Sequence, residues 1–517
     1  MPTVESKIVC SILYGSSKRQ ANLEQTEQPR CFSDLNLDQI VAATVAGREE
    51  YNLKPIFHSP LQDVKTIEYR QEVFRDFENP LVSASVKRFS ERMRAVRQAL
   101  VQADKIYYEL QKRRIRLDAI GEYCEATIGF ARELTSTVPH SRGLRAFAAY
   151  LASYIRAAPF GSLAAETERL QADLAGVQYE VFIDGKRIEV SRYSQEPDYA
   201  AEVLETFAKF RQGGVKETTF TFRSSTEMNH IEAAILNRVT LLFPDIFRDL
   251  AQYCERHQDF LDPTVSDFDR AAQFYIAWLE YLRPLKKAGL SFCYPTISEQ
   301  AASIDGRDAF DLSLAQKLAA DRMPIIVNDF EILSPERILV VSGANQGGKS
   351  TFARMFGQIC YLAALGCPVP AREAHLSRID QIFTHFEREE RVETLSGKLE
   401  ESLMRMREIL EQATARSLLI MNESFDSTTV NDALLLSREV LARVMDRGML
   451  CICVTFLDEL ASLSSKTASY VATVDPDDPA RRTFKVVRKP AEGLAYAMAV
   501  AQKYELTYDQ VTKRLSR

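Results

Sequence analysis

The chain has 517 residues, 46% of them hydrophobic and 26% charged, with a formal net charge of −6. That composition excludes wholesale disorder, and the length suits about three domains, each able to bury a core. The acidic balance excludes a chain-wide polyanion-binding surface, so any nucleic-acid contact must come from local basic patches.

The N-terminus has no charged segment leading into a long apolar core, and no apolar stretch approaches membrane-span length. Neither a signal peptide nor a membrane partner is expected. Residues 34–46 have helical spacing with Asp34 as cap. Residues 81–117, 118–134 and 144–174 follow as long, charge-rich amphipathic helices, levers rather than a compact bundle. They carry two basic patches, Lys87, Arg88, Arg92, Arg94 and Arg97, then Lys112, Arg113, Arg114 and Arg116; both read as solvated faces. Residues 177–183, the turn Asp184-Gly185 and residues 187–190 predict a hairpin. With a further strand at 218–222, this makes a small β-rich insertion at about 175–225. Helical pattern resumes at Thr226 and again over 267–285.

From about residue 291 strands alternate with helices, which argues an α/β domain on a parallel sheet. The strands fall at 338–341, 417–421, 450–455, 470–474 and 484–487, and two short helices follow over 493–515, the second capped by Thr507. A third basic patch (Arg481, Arg482, Lys485, Arg488, Lys489) lies here and again reads as a solvated face. Nine cysteines without a C-x-x-C pair fit a reducing cytoplasm, and Cys451 and Cys453 alternate as buried strand residues. Six histidines form no metal-ligand motif; His375 and His385, near this domain, read as structural or exposed.

The chemistry concentrates after the first of these strands. Gly343-Ala344-Asn345-Gln346-Gly347-Gly348-Lys349-Ser350 is a complete G-x-x-x-x-G-K-[ST] loop between an apolar β-branched strand and an amphipathic helix. That order aims backbone N–H groups and a positive helix end at one point, a cradle for a nucleoside triphosphate. Lys349 would reach the β- and γ-phosphates and Ser350 would ligate Mg²⁺. The strand at 417–421 ends in Asn422-Glu423, where such sites carry Asp-Glu. Glu423 would polarise the attacking water, and Asn422 would accept a hydrogen bond from metal-bound water. One negative charge is missing there, so weaker Mg²⁺ affinity and slow turnover are expected.

These residues resemble one family. The stretch 340–351 (VVSGANQGGKST) is similar to the TGPNMGGKST loop of MutS-family mismatch-repair ATPases. Collinear likenesses follow: ALGCPVPA at 364–371 to IGxxVPA, DQIFT at 380–384 to D-x-I-F-T, and LLIMNESFDSTTVND at 418–432 to LVLMDExxxGTSTxD. IIVND at 325–329 resembles F-x-x-N-D, GLAYA at 493–497 resembles the S-Y-G/A start, and PLQDV at 60–64 with Ile67, Arg70 and Val73-Phe74 resembles P-L-x-D-I…I-x-x-R…V.

The resemblance spans roughly residues 30–517 and implies a multidomain architecture. A short segment, 1–30, precedes a helical core and lever domain at 31–290, with the β insertion as its clamp. An ABC-like P-loop ATPase at 291–517 ends in a helical dimerisation segment. Two subunits would pair head to tail around ATP and Mg²⁺. Asn345 and Gly347 to Thr351 would hold phosphates, and Glu423 would act on water. Ser427, Thr428 and Asp432 would line the dimer contact, and Ser396 or Gly397 would reach across to the γ-phosphate. About 30 residues precede the core-like segment, so mismatch reading by a separate wedge domain is not expected. Two motifs depart from the family: 396–401 reads SGKLEE instead of S-T-F-M-x-E, and Phe456 stands where A-T-H-Y has its histidine.

The resulting reading is a cytoplasmic MutS-like homodimer whose ATP-driven closure acts on DNA, with hydrolysis weaker than binding. The alternative is an ATP-gated protein scaffold that does not touch DNA. A metabolite kinase would leave the levers without a role.

Overall fold

The computed structural model describes residues 10–16, 24–185, 187–194, 228–299, 303–387, 397–475, 477–478, 481–491, 506–508 and 511–512. In chain order the strands begin with β1 (Cys10–Ser11), β2 (Gly15–Ser16), β3 (Tyr179–Asp184), β4 (Arg187–Arg192), β5 (Thr296–Ser298), β6 (Ser303–Ala309) and β7 (Asn328–Leu333). They continue with β8 (Ile338–Gly343), β9 (Glu373–Ser377), β10 (Ile382–Phe386), β11 (Leu418–Asn422), β12 (Leu450–Val454), β13 (Thr467–Val474) and β14 (Arg482–Arg488). Packing divides the chain into two units, one of residues 1–83, 139–147 and 270–517, the other of 84–138 and 148–269.

The first unit is built on a six-stranded sheet of order β10-β11-β12-β8-β13-β14, parallel except for β14. Its central strands β8, β11 and β12 are unbroken apolar runs because helices cover both faces. Leu339, Ile420 and Ile452 are fully buried. Each such side chain contributes about 1.5–3 kcal/mol relative to exposure. One face holds Met406, Leu410, Leu441 and Val444 from helices Lys398–Gln412 and Val430–Arg447. Helix Lys349–Ala364 is buried nearly all round. All five strands predicted from residue 338 onward are present.

A second sheet, of order β5-β9-β6-β7, was not legible in the sequence. Its strand β6 reads Ser-Ile-Asp-Gly-Arg-Asp-Ala and buries alternate positions with few apolar residues, so the period-2 signal is absent. The packing also cuts across the sequence division at residue 290. Arg70, fully buried, donates from Nε to Leu13 O (2.8 Å) and from Nη1 to Leu365 O (3.1 Å). It thereby ties helix Val64–Glu78 to the end of the loop-bearing helix.

The second unit is helical, including Glu109–Thr137, Ala158–Ala175, His230–Leu242 and Pro244–Arg256. Phe89 stacks on Phe130 at 4.3 Å, and Arg97 reaches the buried Asp269 at 2.5 Å. Four predicted helices are redrawn. The chain breaks between Pro80–Lys105 and Glu109–Thr137, and a new helix with Pro159 in its first turn, Ala158–Ala175, follows Arg142–Arg156. The first helix begins at Leu37, not at Asp34, whose carboxylate instead accepts from Thr384 Oγ1 (2.6 Å). The predicted hairpin is present as β3–β4 with Gly185 at φ +58°, while residues 218–222 lie outside those described. Most of 493–515 also lies outside them. Among the described residues no helix is long and apolar enough to cross a membrane.

Within the first unit, Asp76 accepts from the amides of His140 (3.1 Å) and Ser141 (2.7 Å) and holds the 139–147 segment on helix Val64–Glu78. Asp76→Ala leaves two amides unpaired and lowers the unfolding free energy by about 1–3 kcal/mol, measured by urea denaturation.

Candidate functional site

Parallel strands bring their carboxyl ends to one edge, and the register sets Val341, Val454 and Asn422 side by side there. The loop leaves β8 at Gly343, whose φ is +106° and where a Cβ would meet Ala472 O at 2.7 Å. Gly348, at φ +96°, is the N-cap of helix Lys349–Ala364. Both positions therefore require glycine. Gln346 also takes a left-handed backbone, φ +59°.

Lys349 lies inside the loop with its side chain 4% exposed. Its Nζ donates to Gly343 O (3.0 Å) and Asn345 Oδ1 (2.9 Å), and Glu423 Oε1 lies 3.8 Å away. Burial pushes the ammonium below its ordinary pKa, while the carboxylates of Glu423 and Asp458 act in the opposite direction. The group is a desolvated cation, and an incoming anion would favour its charged form.

Across the strand ends, Asn422 Oδ1 is buried without a hydrogen-bond partner. An orphaned acceptor at this edge fits a water on a bound cation. Among the described residues no cluster of three or more His, Cys, Asp or Glu could hold a metal, so a cation here would need Ser350 and ligand oxygens. The Glu423 amide donates to Val454 O at 2.9 Å. Glu423 (φ +50°) and Phe425 (φ +69°) both adopt left-handed backbones. Each costs about 1–3 kcal/mol in a non-glycine residue and persists where the surroundings enforce it, here with Phe425 3% exposed. Phe456, just past β12, is 47% exposed and offers no hydrogen-bonding group.

The residues implied in a dimer contact are scattered in their roles. Ser396 lies outside the described residues, and Gly397 caps helix Lys398–Gln412. Ser427 is exposed, and Thr428 Oγ1 donates to Asp432 Oδ2 (3.3 Å). Asp432 also pairs with Thr429, the N-cap of helix Val430–Arg447, so part of its bonding capacity is spent within its own helix. His375 is exposed beside Asp305 (3.2 Å) and His385 is buried.

Sequence reading missed a cavity of about 870 Å³ beside the loop, lined by Met323, Ile325, Ile326, Gly348, Phe352 and Phe484. Its walls come from segments far apart in sequence, and the weak signal was the apolar pair Ile325-Ile326 before Asn328. Arg482, assigned to a solvated patch, instead donates from Nε to Asn345 O at 3.0 Å. A phosphate cradle next to an apolar slot suits a nucleotide with its base.

Residues 339–514 match the family model for MutS domain V. The chain is 25% identical over 346 residues to the DNA mismatch repair protein MutS of Chlorobaculum tepidum, covering 65% of this chain and 37% of the relative. It is 30% identical over 335 residues to the protein of the same name from Sorangium cellulosum, covering 62% and 34%. For the Chlamydia muridarum protein of that name the identity is 28% over 269 residues, covering 48% and 30%. The chain thus spans about a third of the length of these relatives.

Lys349→Ala should weaken Mg-ATP binding about 10- to 100-fold in calorimetry, the loss expected for a charge-assisted hydrogen bond. Unchanged affinity would remove the loop from any nucleotide role.

Proposed function

We propose, from the premise that this chain belongs to the MutS family through its domain V, that it is an ATP-gated clamp. Residues 343–351 bind ATP, two copies close on it, and closure acts through the helical segment 31–290 on DNA. The observation that carries the reading is the buried Lys349 ammonium, hydrogen-bonded by two neutral oxygens of its own loop with the Glu423 carboxylate 3.8 Å away, on the strand-end edge where Asn422 Oδ1 is left without a partner. On nucleotide binding Lys349 exchanges Gly343 O and Asn345 Oδ1 for phosphate oxygens. The amides of the loop hold the remaining phosphate charge, with the positive end of helix Lys349–Ala364 behind them. The base enters the slot of Met323, Ile326 and Phe484.

Bound Mg²⁺ would supply neutralisation of the phosphate charge; Ser350 would be its protein ligand, and Asn422 would accept a hydrogen bond from one of its waters. Glu423 takes the proton of the attacking water. Asn422 carries no charge and Phe456 replaces a polar contact to the γ-phosphate, so hydrolysis is slow and binding dominates. Gly397, Ser427 and Thr428 contribute across the dimer, as does the free bonding capacity of Asp432.

A second reading, an ATP-gated cytoplasmic scaffold without DNA contact, is favoured by one observation. The basic patches of the helical unit are largely neutralised. Arg88 pairs with Glu133, Arg92 with Glu122 and Glu125, Arg113 with Glu109, Arg114 with Asp118 and Arg116 with Asp104. Titrating salt against binding to duplex, mismatched and branched DNA, with and without ATP, separates the two. A clamp loses affinity with a log–log slope of about −0.9 per phosphate neutralised on duplex DNA. ATP binding with no DNA affinity at low salt leaves the scaffold.

Asn422→Asp restores a charge beside the cation. It should tighten Mg²⁺ in the ATP complex about 10-fold or more and raise turnover, followed by phosphate release across a Mg²⁺ titration. No gain would assign the slow step to Phe456.

A further inference from the structure

Beside the strained turn at Glu423 lies a buried histidine that the proposed chemistry does not use. His385 is 2% exposed and stands opposite Met421 in the β10–β11 pair. Its Nδ1 lies 2.8 Å from Ser424 Oγ, and its Nε2 lies 3.1 Å from both the Oγ and the carbonyl oxygen of Ser402. Ser424 Oγ also lies 3.3 Å from the carbonyl oxygen of His385, to which it can donate. The ring stands 5.6 Å from that of Phe425, and Arg405 Nη1 donates to Phe386 O at 3.3 Å.

In either tautomer both ring nitrogens are satisfied. With the proton on Nδ1, the ring donates to Ser424 and accepts from the Ser402 hydroxyl. With it on Nε2, the ring donates to the Ser402 carbonyl and accepts from Ser424. The imidazole therefore spans two elements. Ser402 belongs to the first turns of helix Lys398–Gln412, whose N-cap is Gly397, and Ser424 directly follows Glu423. Ser424 sits between two left-handed residues, Glu423 and Phe425, so its contact with His385 fastens the turn that carries Glu423. The Glu423 amide, anchored on Val454, is the pivot.

We propose that His385 is a positioning residue that carries the placement of helix Lys398–Gln412 to Glu423, so that the helix and the nucleotide end sense each other. This rests on the nucleotide reading above. A histidine that merely fills the core would hold the same bonds without linking the two ends.

The test uses the full chain with His385→Ala, which removes both bonds, and His385→Asn, which keeps a polar group near the Nδ1 position and cannot reach Ser402. Three readouts are taken: Mg-ATP affinity by calorimetry, single-turnover hydrolysis, and hydrogen exchange of residues 398–405 and 423–425 with and without Mg-ATP. In the unmodified chain, Mg-ATP changes exchange in both segments. His385→Ala keeps ATP affinity within about fivefold, loses the nucleotide-linked change at 398–405, and slows hydrolysis about tenfold or more. His385→Asn loses the change at 398–405 and retains it at 423–425. A nucleotide-linked change in His385→Ala equal to that of the unmodified chain overturns the proposal, as does a parallel fall of affinity and hydrolysis with raised exchange in both segments in the absence of nucleotide. Should His385→Ala not fold, Ser424→Ala gives the same readings. Absence of Mg-ATP binding by the unmodified chain overturns the nucleotide reading and this proposal with it, whereas intact binding without coupling overturns the proposal alone.

Discussion

A cation held away from water among carbonyl oxygens governs the strand-end edge of the first unit. Lys349 is seated by Gly343 O and Asn345 Oδ1, and both oxygens are in place because the loop turns back on itself through left-handed glycine. Burial makes the ammonium costly, and Glu423 at 3.8 Å offsets part of that cost from a partly exposed position. A polyanion would do so more completely. Any affinity of this loop for phosphate would therefore follow from desolvation as much as from the donors themselves.

The same edge explains why strain collects after β11. Parallel pairing in register delivers Asn422 beside Val454, and the chain must then turn sharply to reach helix Val430–Arg447. Two non-glycine residues take left-handed backbones to make that turn. Phe425 is fastened by burial and Ser424 by its contacts with His385. His385 of β10 thus links this turn, through Ser424, to Ser402 of helix Lys398–Gln412. A glutamate that acts on water needs such external support, because its own segment has no low-energy reason to stay where it is.

Ion pairing shapes the helical unit. Arginines at 88, 92, 113, 114 and 116 each meet a carboxylate, several of them one helical turn away or on a facing helix. Exposed pairs of this kind contribute little to stability, and their consequence is electrostatic: they cancel the positive field that the sequence shows as patches. The hairpin β3–β4 instead exposes Phe182 and Ile183. Any contact made by these surfaces is therefore less governed by net positive charge than the linear sequence suggests.

Local patterns sufficed for much of this protein. The apolar runs of β8, β11 and β12, the glycine-lysine loop and the Asp184-Gly185 turn each encode their conformation within a few residues, so they were legible, and Lys349 and Glu423 do come within 3.8 Å of each other. Helix ends at Asn36 and Ala157 were not legible, because a tertiary bond from Asp34 to Thr384 and the restart with Pro159 in the first turn outweigh helical period there. The second sheet, the apolar slot beside the loop and the His385 bridge depend on residues far apart in the chain. Nothing in His385, Ser402 or Ser424 marks them singly. The sequence determined which segments become strands, the glycine-lysine loop and the long helices, because those choices rest on short-range sterics and periodic burial. Tertiary structure alone decided which side chains meet at the strand ends, because contacts between distant segments depend on the register and packing of the whole sheet.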